Sequence, residues 1–177
     1  MMAKADALIA QGYGARRAAR SAEAMRHFAR AVEAARESSD RVSLARALIG
    51  VGQIERDLYN FEAARVSYEE AATIVRSLND PLWLAHTVRH VADNLREEKN
   101  FDLATAHYEE ALAIYRATAE TAPLDLANLL RGYALLKEQL GDIAMAKAFW
   151  QEARAIYASA DLQPGVDEST RRLAILG

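Results

Sequence analysis

Alanines and aromatic rings recur along this chain at a near-constant interval, and that recurrence restricts the fold more than any other feature. Residues 60–71 closely match residues 100–111, identical at seven of twelve positions, at a shift of 40. Stepping back 40 residues reaches 21–31, and stepping forward 42 reaches 142–153. The anchors are Ala24, Ala64, Ala104 and Ala146, each followed four residues later by a ring: Phe28, Tyr68, Tyr108 and Trp150. Seven residues past each anchor stands alanine again (Ala31, Ala71, Ala111, Ala153), and ten past it come Ala34, Ile74, Ile114 and Ile156. Aromatics make up 7% of the chain, so four rings in register have a chance on the order of 10⁻⁵ before the choice of phase. Offsets of four, seven, and ten or eleven share one helical face. Each block therefore predicts a helix with a small–large–small stripe, and Asn60, Asn100 and Asp142 stand where a cap would accept a backbone N–H.

Twelve residues before the anchors lie Gly12, Gly52, Ala92 and Ala134, inside separate helical stretches at about 4–18, 41–58, 81–98 and 123–140. Asp80 before Pro81 reads as a cap with a first-turn proline, and Pro123 holds the same phase. Small residues let two helix backbones approach, so each unit is expected to be a hairpin of a helix A and a helix B. A hairpin cannot bury its apolar face alone, and successive units must stack. Forty residues beyond Ala134 stands Ala174, preceded by Leu173, so a lone helix A over about 167–176 should cover the last unit.

This pattern resembles the tetratricopeptide repeat family, in a long form with units of 40–42 residues in place of the usual 34. The family's tryptophan and tyrosine in helix A are largely missing. The resemblance implies an all-α, right-handed α-solenoid of four hairpins plus a C-terminal capping helix. The expected organisation is one domain over 1–177, with units at about 1–40, 41–80, 81–122 and 123–163 and nine helices in all.

Composition removes most other functions. The net charge is −3 with only four lysines, which gives no electrostatic drive toward nucleic acid or anionic membrane. No apolar run approaches a membrane span, the first twenty residues lack a secretory pattern, and a cytoplasmic location is expected. With no cysteine, thiolate catalysis and Cys-based zinc sites are excluded. His86 and His90 stand four apart with Asp93 beyond them, the one arrangement with metal-like spacing. Thr87, however, occupies the place where a zinc-protease helix needs Glu. Paired acids such as Glu69–Glu70 and Glu109–Glu110 point about 100° apart on a helix and do not converge for acid–base work. No phosphate loop or nucleophile elbow is present. The expectation is no enzyme, no cofactor and no metal.

The resemblance implies that helix A side chains facing away from helix B line a concave partner-binding groove. By phase these are Ile9, Tyr13, Arg16 and Arg17; Arg46, Ile49, Gln53, Arg56 and Asp57; His86, Arg89, Asp93, Arg96 and Glu97; and Asn128, Arg131, Leu135, Glu138 and Gln139. Seven arginines against four acids favour an acidic peptide or a free carboxyl terminus, with Arg46, Arg89 and Arg131 as a central ladder. The alternative is that the arginines pair with Asp57, Asp93, Glu97 and Glu138 as a solvated network, each pair worth little. The lysine–asparagine clamp of chaperone-tail binders is absent. The expected function is an adaptor or scaffold for a protein or peptide partner. A peptide-sensing regulatory subunit, or part of a longer regulator, is the alternative. Self-association through the exposed ends is a further route.

Overall fold

The computed structural model describes residues 4–177, so the first three residues of the first unit lie outside it. The described residues form α1 (Lys4–Arg17), α2 (Ser21–Glu37), α3 (Arg41–Asp57), α4 (Phe61–Arg76), α5 (Pro81–Glu97), α6 (Phe101–Ala117), α7 (Pro123–Gln139), α8 (Ile143–Ser159) and α9 (Gln163–Leu176), with no strand among them. Consecutive helices pack against each other, and α1 with α3 and α5 with α7 bring the odd-numbered A helices together. Among the described residues no helix is long and apolar enough to cross a membrane.

The turns between helices are nearly identical. In most of them the residue before the new helix's cap has a left-handed backbone: Ala19, Ser39, Tyr59, Asn79, Lys99 and Asp161, all with φ between 53° and 64°, and Gly141 at 75°. Only the last of these positions uses glycine, the residue that tolerates this region without cost. Asp40, Asp80 and Asp142 then cap α3, α5 and α8 by accepting the N–H of Ser43, Trp83 and Met145. Asn60 and Asn100 make no such bond, contrary to expectation. The Asn60 side chain instead donates to Glu55 at 2.8 Å, because the tight turn places that carboxylate beside it. Pro81 and Pro123 both open their helices. The change of interval from 40 to 42 falls in residues 118–122. There the Thr118 and Thr121 hydroxyls donate to the carbonyls of Ile114 and Tyr115 and close off α6.

Each ring of the repeat is fully buried between two A helices. A Cβ on Gly12 would come within 2.7 Å of Phe28 and one on Gly52 within 2.8 Å of Tyr68, so the small residues do seat the ring of their own unit. A second column lies on the next A helix: a Cβ on Gly50 would approach Phe28 to 2.3 Å, and one on Gly132 would approach the Tyr108 hydroxyl to 2.8 Å. The corresponding residue of α5 is His90, whose ring stacks on Tyr68 at 4.9 Å and 14°. One unit therefore has an imidazole where its neighbours have nothing. Further along helix B the deepest position is eleven past the anchor, with Ala35, Val75, Tyr115 and Tyr157 all at most 2% exposed. Ile114 and Ile156, ten past, are only partly buried.

Helix α9 begins at Gln163, one turn earlier than the expected 167. Its first turn packs Gly165 onto the Tyr157 ring, with 2.5 Å from a Gly165 Cβ to the ring. Ser169 is buried and Leu173 and Leu176 pack on the core, matching the face that α7 turns toward α6. Asp167, Thr170 and Ala174 are exposed. Their counterparts in α7 (Ala127, Leu130 and Ala134) are fully buried against a helix B that α9 does not have.

Candidate functional site

The A helices carry two neighbouring cavities. One, of about 580 Å³, lies across α3, α5 and α7 and is lined by Arg56, Tyr59, Phe61, Arg89, His90, Asp93, Arg96, Glu97, Asn128 and Arg131. The other, of about 550 Å³, lies across α1, α3 and α5 and is lined by Asp6, Ile9, Ala10, Tyr13, Arg46, Ile49, Gln53, Trp83 and His86. Arg16 and Arg17 sit with Tyr13 and Asp57 around a shallower depression beside them.

The floor of the first cavity is a polar cluster built around His90, which is 4% exposed. Arg56 reaches its Nδ1 at 2.9 Å and Arg89 reaches its Nε2 at 3.0 Å. Burial, then the charges of Arg89, His86 and Arg56, holds the imidazole pKa well below its usual 6.5. A neutral imidazole has a single acceptor lone pair, yet two guanidinium groups converge on it. Asp93 supplies the nearest negative charge, accepting from Arg89 at 3.0 Å and from the Tyr108 hydroxyl at 2.6 Å. Gly132 makes that last bond sterically accessible, since its Cβ would lie 2.7 Å from the Asp93 carboxylate. Even so, Arg89 Nε, Arg96 Nε and the Tyr68 hydroxyl are buried without a partner within the described residues. Donors outnumber acceptors here.

The arginines do not form the expected ladder. Arg89 is 9% exposed and belongs to the cluster beneath the cavity. Arg46 stands at the rim of the other cavity, 3.8 Å from Asp6. Arg131 is half-exposed and held bidentately by Glu168 of α9 at 2.6 and 2.8 Å, a carboxylate outside the phase-derived set. Arg16 pairs with Asp57 at 2.8 Å and Arg96 with Glu97. The first cavity's lining has four arginines to two carboxylates, and counting Glu168 leaves a surplus of one positive charge.

Leu135 lines neither cavity; it packs on the apolar core. Glu138 is likewise engaged elsewhere, accepting from Trp150 and pairing with Arg172 at 2.9 Å. Asn128 reaches the cavity while its amide oxygen accepts from Tyr157 at 2.8 Å. Phase missed Trp83, which stands one turn before His86 on the same face, a spacing of three that could have identified it. It also missed Tyr59 and Phe61, which enter from the α3–α4 turn and lie outside any helix A pattern. His86 meets His90 edge-on at 4.8 Å, and burial with the Arg89 charge brings its pKa down to about 4. No group of three or more His, Cys, Asp or Glu suited to a metal occurs among the described residues.

The tetratricopeptide repeat model matches residues 83–159. Among solved structures, BtubC (BKLC) from P. vanneervenii superposes with a TM-score of 0.76 at 22% identity, covering 85% of this chain and 61% of its own. The apo form of RapI gives 0.81 at 19% identity, covering 89% of this chain and 57% of its own. The chain thus spans about six tenths of the length of these two neighbours. No curated protein matches the sequence. The interval of alanines and rings is that of stacked helix hairpins in both sequence and space; residues 83–159 match the tetratricopeptide repeat model, and the chain shares the fold of these solved structures.

Proposed function

We propose that this chain is a protein-interaction module that acts by binding, without catalysis, and that it takes an acidic peptide segment on its A helices. The observation that carries this reading is the excess of donors in the first cavity. Arg56 and Arg89 compete for one imidazole lone pair, and Arg89 Nε and Arg96 Nε have no acceptor among the described residues. A carboxylate entering the cavity would meet the accessible guanidinium groups of Arg56 and Arg131 in its lining and add negative charge above the donor-rich floor. Arginine presents a planar fork suited to that geometry. The near-neutral chain offers no comparable field for a polyanion such as RNA. The adaptor role, the cytoplasmic setting and the peptide form of the partner belong to the same reading.

Isothermal titration of the full chain with Glu-rich and charge-neutral versions of one extended peptide tests it. The Glu-rich peptide should bind tighter, with affinity falling as salt rises. Arg56→Glu and Arg131→Glu should each weaken it about tenfold or more. Affinity indifferent to peptide charge and to both reversals would count against the acidic ligand.

A further inference from the structure

The second cavity differs from the first in chemistry, and the two share a wall. Ile9, Tyr13, Ile49 and Trp83 make its lining more apolar than that of the first. The Gln53 side chain also lines it. The Arg46–Asp6 pair stands at its rim, so the charges there cancel. The dividing wall is the edge-on contact of His86 and His90. Both imidazoles stay neutral at physiological pH because burial disfavours the charged form. An apolar pocket and a cationic one thus lie side by side across α5, joined by a path without a charge of its own.

Resting on the acidic-peptide reading above, we propose that the preferred ligand is bipartite. It is an extended segment with an acidic side chain for the Arg56–Arg131 cavity and a bulky apolar side chain for the Trp83 cavity. The spacing follows from α5. His86 and Asp93, one in each lining, are separated by a rise of roughly 10 Å at 1.5 Å per residue. About three residues of extended chain cover that distance. A single compact anion would fill one cavity and leave the other to water. A segment carrying both groups at this interval satisfies the donors of one cavity and covers the apolar wall of the other.

The test is selection of a random peptide display library on the intact chain, followed by fluorescence anisotropy with selected peptides and single replacements. Selected peptides should pair Asp or Glu with Phe, Leu, Trp or a similar residue about three positions away. Replacing that apolar residue by Ala should weaken binding about ten- to a hundredfold. Trp83→Ala should abolish this penalty while leaving the demand for the acidic residue. Arg131→Gln with Arg56→Gln should do the reverse. Tyr13→Ala attacks the same pocket from α1, and thermal unfolding by circular dichroism checks that each variant is folded. Peptides that need the acid but bind equally well with Ala at the second position would overturn the bipartite ligand and leave the acidic-peptide reading standing. Selection of peptides without acids, or failure to select any, would overturn both.

Discussion

At the scale of single residues, the decisive position is the one occupied by Gly50, His90 and Gly132 in successive A helices. Gly132→Ala would push a methyl into the Asp93–Tyr108 hydrogen bond and should cost about 1–3 kcal/mol. In a Tyr108→Phe background the same change should cost less, and a double-mutant cycle by urea unfolding measures the difference. His90 makes the fold sensitive to acid. Its pKa lies well below 6.5 in the folded state and that of His86 is about 4, whereas both take a proton near 6.5 when unfolded. Between those values the unfolded chain binds more protons, so stability is complete above about 6.5 and is lost as the pH falls toward about 4. Melting temperature should follow that course, and His90→Gln should flatten it; an unchanged slope in a His86→Gln, His90→Gln variant would refute the assignment. The column of small residues toward each unit's own ring was legible from spacing alone. This second column was not, because its meaning depends on which face of helix A meets the preceding unit, and a histidine between two glycines has no visible period.

At the scale of helices and turns, period and phase identified every helix but not what holds its ends. Asn60 and Asn100 occupy cap positions without capping, since the neighbouring turn geometry redirects or releases their side chains. The left-handed residue before most caps is invisible to pattern reading, because alanine, tyrosine and lysine all fill it. That strain is removable. Lys99 is exposed with φ at 62°, and Lys99→Gly exchanges a steric cost of about 1–2 kcal/mol for a smaller loss from a freer unfolded chain. A gain of roughly 0.5–1 kcal/mol in chemical denaturation is expected. Asp40→Ala works in the opposite direction. It removes a carboxylate that accepts both the N–H and the hydroxyl of Ser43, at about 1 kcal/mol, typical of a lost N-cap.

Across the whole molecule, stacking alone connects distant units, so damage at one end should spread inward from there. Ending the chain after Ser159 would uncover Tyr157 and the part of the core now beneath Leu173 and Leu176. It would also release Arg131 from Glu168. The loss should reach about 3 kcal/mol or more from uncovered apolar area, a fall of about 10 °C in melting temperature, with hydrogen exchange rising first in α7 and α8. The architecture was readable at this scale because every unit repeats the same solution. The two cavities were readable only in part, since Leu135 packs on the core, Glu138 pairs with Arg172 of α9, and Trp83 falls one turn before the phase-derived residues of α5. The exposed side of α9 differs in chemistry from the same side of α7. Asp167 and Thr170 wet a face that, with Ala and Leu in their places as in α7, would be ready to receive another hairpin. Two substitutions, with a grafted copy of α8 behind them, would convert this face of α9 into a splice point for building longer arrays.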